Sequence, residues 1–238
     1  MNNHNGNGNG NGNGNGKKNG NGNGKKNGNG NGYKSLYDRI YDKYDLVMNA
    51  SGYTFASKKI VEALPNNFKN PNILDLGCGT GITTDCIEKR FSGASIIGLD
   101  GSEKMLDLYL KKHPEKKAVL GDFNQEELFY SYPNKMTESL APGSFDIIIS
   151  VGAVLEYGIL ENVFSFTHKL LKENGMLVIV GAKKNIFNCI SGKLCWKYEP
   201  VQTEHILSVM QEFNFKPFND FQVSFPVNLF KEVIVAYK

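Results

Sequence analysis

Residues 73–82 read ILDLGCGTGI, a short apolar run that breaks into three glycines at alternate positions. The apolar part has the length of a buried strand. The glycines let the backbone turn tightly and approach another molecule without Cβ interference. The chain around this stretch keeps the same alternation. Residues 72–76 predict a strand, 82–91 a helix and 95–100 a second strand, and Ser102 stands where an N-cap would open a helix through residue 112. Further strands are expected at 118–120, 146–151 and 176–181, and a helix at 160–172 is stopped by Asn174 and Gly175. The β-branched run at 146–151 is what a strand covered on both faces requires. A helix at 204–213 and an antiparallel pair at 215–225 and 230–237 close the chain. Strands alternating with helices in this way give an α/β fold, a parallel sheet with helices on both faces. In such sheets ligands sit at the carboxyl ends of the strands, where the glycines lie.

Composition narrows the function classes. The 238 residues suffice for one domain with a sizeable core. Residues 1–32 are almost pure Asn-Gly alternation broken by two Lys-Lys pairs, with no apolar surface to offset the entropy of ordering, so a disordered tail is expected. The formal charge is +3, and the tail carries four lysines and no acids, leaving 3 − 4 = −1 for residues 33–238. A near-neutral domain has no electrostatic grip on phosphate backbones, so nucleic acid is not expected as a partner. No segment has the apolar length to span a bilayer, and the N-terminus shows neither a signal core nor a glycine at position 2. A cytoplasmic protein without a membrane partner is therefore expected. Cys78, Cys86, Cys189 and Cys195 form no CxxC pair and have no histidine at ligand spacing, so no metal is expected.

The glycine spacing is GxGxG, unlike the GxGxxG of a pyrophosphate cradle, and Asp75 precedes the first glycine by two residues. A carboxylate there would repel a diphosphate and suit an amino group. Asp100 ends the second strand about 20 residues on, where an acid can accept from ribose hydroxyls.

With these features the chain resembles the class I S-adenosylmethionine-dependent methyltransferases, from about residue 37 to the C-terminus. The motifs are the DLGCGTG loop at 75–81, GLDGSEKM at 98–105, GDF at 121–123 and SFDIIIS at 144–150. The resemblance is greatest to small-molecule enzymes of the type 11 and type 25 kind, including menaquinone-biosynthesis-like relatives with a YDxxYD start, here Tyr37-Asp38 and Tyr41-Asp42. It implies a Rossmann-like, seven-stranded, mostly parallel sheet with a C-terminal antiparallel strand.

The resemblance implies S-adenosyl-L-methionine as cofactor and assigns roles. Asp75 faces the methionine amino group, and Gly77, Cys78, Gly79 and Gly81 shape the loop. Asp100 binds the ribose with Gly101 and Ser102 beside it, while Met105 packs on the adenine. Asp122 accepts from the adenine amino group, Phe123 lines the ring, and Ser150 and Val151 lie beneath the methionine arm. Glu156 is the candidate catalytic residue, orienting or deprotonating the acceptor, or else an exposed acid opening a helix.

Acceptor contacts are expected from Tyr41, Tyr44, Tyr157 and Trp196. Tyr33, Tyr37, Tyr41 and Tyr44 form a stripe on a helix at about 33–48, read either as a packing face or as a lid. The FYSYP stretch at 129–133, with Phe187, Trp196 and Tyr198, would roof an apolar pocket or merely cover the sheet end. The expected reaction is in-line methyl transfer to a small molecule. A protein acceptor, a catalytically silent binding subunit and aminopropyl transfer remain open beside it.

Overall fold

The computed structural model describes residues 41–125, 129–218 and 221–238. The Asn-Gly tail, Tyr33 and Tyr37 lie outside the described residues.

In chain order, a 3-10 turn Tyr41–Lys43 leads into α1 (Tyr44–Ala50) and α2 (Tyr53–Ala63). Then β1 (Asn72–Leu76), α3 (Ile82–Arg90), β2 (Ser95–Asp100), α4 (Glu103–Lys112) and β3 (Lys117–Leu120) alternate. A hairpin of β4 (Phe129–Tyr132) and β5 (Met136–Glu138) precedes β6 (Phe145–Val151), α5 (Val154–Tyr157), α6 (Leu160–Leu170) and β7 (Leu171–Ala182). The last part comprises α7 (Ile186–Ser191), a π-turn Gly192–Trp196, α8 (Thr203–Glu212), β8 (Lys216–Pro217), α9 (Val227–Phe230) and β9 (Lys231–Tyr237).

The strands form one sheet in the order β5-β4-β3-β2-β1-β6-β7-β9-β8. From β3 to β7 all neighbours are parallel, and β9 runs antiparallel between β7 and β8. Seven strands match the expected Rossmann-like arrangement, and the β4–β5 hairpin adds two at the β3 edge. Period-2 alternation feeds two cores. Ile147, Ile149 and Val151 pack with α2 and α3, whereas Ile148 joins α5, α6 and α8 on the other face. The sheet is therefore apolar on both sides, as the β-branched run requires. β1 lies between β2 and β6, so the chain reverses its lateral direction across β1 and opens a crevice at the carboxyl ends there.

Several expectations change in detail. The helix predicted at 33–48 is, in its described part, the 3-10 turn followed by α1, tied down by Asp45, which accepts from Thr80 of the glycine loop and pairs with Lys112. Helix α2, which buries Ala56, Ile60 and Val61, carries a clear apolar face that no motif flagged. Helix α6 ends at Leu170, two residues before the predicted stop, because Leu171 already takes extended backbone, φ −69° and ψ 141°. The strand expected at 215–225 shrinks to Lys216–Pro217. Proline lacks the N–H a ladder needs, and Pro217 is tolerated because β8 is the sheet edge.

Candidate active site

The glycine loop is built for close approach. Gly77, Gly79 and Gly81 take φ of +76°, +53° and +87°, and the Gly77 and Cys78 N–H groups both donate to the Leu99 carbonyl, at 2.8 and 3.0 Å. A Cβ on Gly79 would come into ordinary van der Waals contact with the Tyr44 ring, 3.8 Å away. Asp100 clamps the neighbouring turns. Its carboxylate accepts from Gly79 N at 2.9 Å and from Ser102 N at 2.8 Å. Ser102 caps α4 by accepting from Met105 N at 3.4 Å. Asp122 closes the third turn, its carboxylate accepting from the backbone and side-chain nitrogens of Asn124.

These turns enclose a narrow cleft of about 60 Å³. Of the predicted cofactor residues, Gly77, Gly79, Asp100, Gly101, Ser102, Met105, Asp122, Phe123 and Val151 line it, together with Tyr44 and Tyr157. Four others lie behind it. Asp75 is buried beneath the loop, accepting from the Thr84 hydroxyl at 2.7 Å, and burial pushes its carboxyl up to about 7. Cys78 points into the core beside Leu106 and Tyr109, and burial pushes its thiol well up. Gly81 opens α3 against His113, and Ser150 accepts from Val154 N at 3.3 Å.

A second chamber of about 480 Å³ adjoins the cleft, and Tyr44 and Gly152 line both. Beside Tyr44 its walls carry six aromatics, Tyr53, Phe55, Phe187, Trp196, Tyr198 and Phe230, with Glu156 and Lys231 as its charged groups. Burial pushes the Tyr44, Tyr53 and Tyr198 hydroxyls upward, so all three stay protonated at neutral pH. Glu156 is no exposed helix-opening acid. Its Oε1 accepts from Ala182 N at 3.0 Å, while Oε2 is shut away from solvent without a hydrogen-bond partner among the described residues. Burial pushes its carboxyl up to about 6.

Trp196 and Tyr198 reach the chamber wall as expected, and Tyr157 donates to the Trp196 carbonyl at 3.2 Å. Tyr41 does not. It is exposed, with Lys104 Nζ 5.2 Å from its ring centroid, because the 3-10 turn swings it outward. Nor does the 129–133 stretch roof the chamber. It forms β4, where Phe129 stacks on Phe166 at 5.2 Å and Tyr132 donates to Asp107. Motif reading misses Tyr53, Asn124, Gly152 and Lys231. Of these, Gly152 carried a legible signal, a glycine directly after a buried strand. Asn124 pins the Asp122 turn to the β6 side, donating to the Tyr157 carbonyl and accepting from Ile159 N.

Asp85, Glu88 and His113 gather behind the loop, a grouping their sequence spacing does not reveal. The ring nitrogens of His113 face one carboxylate each, and Lys116 already pairs with Glu88 at 2.8 Å.

A methyltransferase domain model matches residues 74–177. A demethylmenaquinone methyltransferase from Thermotoga maritima is 30% identical over 149 residues, covering 61% of this chain and 59% of that protein. A ubiquinone biosynthesis O-methyltransferase from Pelagibacter ubique is 26% identical over 139 residues, covering 57% and 53%. The chain thus spans little more than half the length of these curated relatives. Among solved structures, a TehB-like SAM-dependent methyltransferase from Corynebacterium glutamicum superposes with a TM-score of 0.60 at 20% identity, over 86% of this chain and 99% of that one. Residues 74–177 thus match a methyltransferase domain, and the fold is that of the class I S-adenosylmethionine-dependent methyltransferases.

The chemistry of the cleft wall suits S-adenosylmethionine. The Gly79 cradle admits backbone contact, Asp100 places a carboxylate at the cleft wall, and Met105 and Phe123 supply apolar surface for a base. Asp100 also holds the apo structure together, beyond its expected ligand role. Asp100→Ala should therefore lower unfolding free energy by roughly 1–3 kcal/mol through the orphaned Gly79 and Ser102 N–H groups. The same change should weaken cofactor binding by about tenfold or more, as the ribose hydroxyls lose their acceptor. Chemical denaturation and titration calorimetry measure the two effects. Unchanged affinity beside lost stability would make Asp100 purely a clamp.

Proposed function

We propose that this chain transfers a methyl group from S-adenosylmethionine to a small-molecule acceptor held in the aromatic chamber. The carrying observation is that the glycine-loop cleft and the chamber meet at Tyr44 and Gly152, so a group held in one faces a molecule held in the other. The cofactor supplies a methyl group already activated on a sulfonium for in-line displacement.

The protein's part is then mainly positioning. Holding two reactants in line can account for about 7–11 kcal/mol of barrier. Asp100, Met105, Asp122 and Phe123 would fix the nucleoside, and Tyr44 would separate the two molecules from bulk water. The aromatic walls would orient an apolar or aromatic acceptor, and Glu156, on the chamber wall, would accept the acceptor's hydroxyl or amine proton. The relatives' small-molecule names support this choice of acceptor over a protein.

Titration calorimetry with S-adenosylmethionine should give one-to-one binding, and incubation with acceptors should release S-adenosylhomocysteine. Saturable NAD binding without response to S-adenosylmethionine would overturn the cofactor reading. Release of methylthioadenosine would mark aminopropyl transfer instead. Binding without any product across a broad metabolite set would favour a silent subunit.

A further inference from the structure

Helix α7 and the π-turn that continues it are turned inside out. Their polar Asn188 is buried, its amide donating to the Lys183 and Phe230 carbonyls at 2.8 and 2.9 Å. Ile186, Ile190 and Leu194, each four residues apart and so on one side, are 81%, 57% and 76% exposed. Phe187 meets Phe230 with ring centroids 6.3 Å apart, joining this face to α9, where Leu229 is also exposed, as is Phe225 just before it. Phe187 and Phe230 belong to the chamber wall as well, so the outer apolar face runs into the chamber lining. Single exposed apolar residues need no explanation, but a contiguous face at the mouth of a cavity marks a contact surface.

Charge says what covers it. Residues 183–198 hold four lysines, Lys183, Lys184, Lys193 and Lys197, and no acid, and all four are exposed. Residues 221–231 on the adjoining rim carry Lys231 and likewise no acid. Glu199 and Glu232 stand just beyond these two segments, and apolar tips framed by this excess of lysine match an interface of acyl chains beneath anionic headgroups. A second copy would set these lysines against their own counterparts in a two-fold contact, which is unfavourable. No helix among the described residues is long and apolar enough to cross a membrane, so the contact is peripheral.

We propose that this face docks on an anionic lipid bilayer, with Ile186, Ile190 and Leu194 entering the acyl boundary, so that the chamber opens onto the membrane and takes an acceptor dissolved in it. This rests on reading the chamber as the acceptor site. The expectation of no membrane partner was drawn from the lack of spanning segments, which does not bear on surface contact.

The test is flotation of the full chain with vesicles of phosphatidylcholine alone or mixed with phosphatidylserine, with S-adenosylhomocysteine binding measured on the same preparation. The chain should float with the mixed vesicles and be released by salt. I190D/L194D should bind them about tenfold less or worse. Its melting temperature and S-adenosylhomocysteine affinity should be unchanged, since both side chains face solvent. No flotation beside intact S-adenosylhomocysteine binding, or flotation undiminished in I190D/L194D, would overturn docking alone. So would a dimer in light scattering that I190D/L194D dissociates, which would assign the face to a second copy. Flotation lost in the variant, in a chain that binds no S-adenosylhomocysteine, would support docking while removing the methyltransferase reading.

Discussion

Gly77→Ala should destabilise the fold by roughly 2–5 kcal/mol and remove measurable cofactor binding. Two separate penalties add at this position. The backbone sits at φ +76°, where an L side chain is strained, and an added Cβ would stand 2.3 Å from the Ala153 Cβ. Neither partner moves easily, because Gly77 N is held by the Leu99 carbonyl and Ala153 opens the short helix that carries Glu156. Urea denaturation of three variants separates the penalties. Gly143→Ala, at φ +60° with nothing within 4 Å, isolates the backbone cost and should lose only about 1 kcal/mol. Combining Gly77→Ala with Ala153→Gly should recover the steric part and leave the backbone part. If Gly77→Ala costs no more than Gly143→Ala, the loop yields, and its tight approach to β6 is not what shapes the cleft.

This glycine was legible in the sequence because strand, turn and helix start are local and lie within about ten residues. The parallel sheet behind it followed from the alternation of strands and helices, whereas the order of its strands did not. Asp75 shows what a motif alone leaves out. Alternation along β1 puts Asp75 on the same face as Ile73, toward α3, and there it meets Thr84.

The acceptor side was legible only in fragments, because it is assembled across the whole chain. Tyr53 donates to the Val151 carbonyl 98 residues away, and Lys231 comes from β9. No local spacing encodes such a wall. Phe187, Trp196 and Tyr198 were recognisable as aromatics seeking a place. The aromatic 129–133 stretch had the same look, yet a sheet edge with unpaired β3 groups captured it as a strand. Exposed polarity gave the rest of the signal. The lysines of 183–198 and the apolar stripe between them stand plainly in the sequence, but only the burial of Asn188 reveals which way the helix faces.

Glu156→Gln should lower turnover by about 10²–10⁴-fold above pH 7 and erase the rising limb of the pH–rate profile near pH 6. The substitution keeps an oxygen for Ala182 N and nearly the same volume, so the chamber wall should persist while the proton acceptor is lost. Burial raises the wild-type carboxyl to about 6 from its ordinary 4.5, so the folded protein holds a proton that the unfolded chain releases earlier. A raised acid favours the fold while neutral. Wild-type stability should therefore be fullest below about pH 4.5, decline as pH rises through 6 and level off above it. The substituted amide stays neutral throughout, so the variant should be the more stable protein at pH 8, by roughly 1–2 kcal/mol, and indistinguishable near pH 4. Greater stability with lower activity is the pattern of a strained catalytic carboxylate, whereas a strut for β7 would lose both or neither. Turnover and its pH limb surviving in Glu156→Gln would place proton removal elsewhere, leaving the buried carboxylate to the Ala182 contact alone.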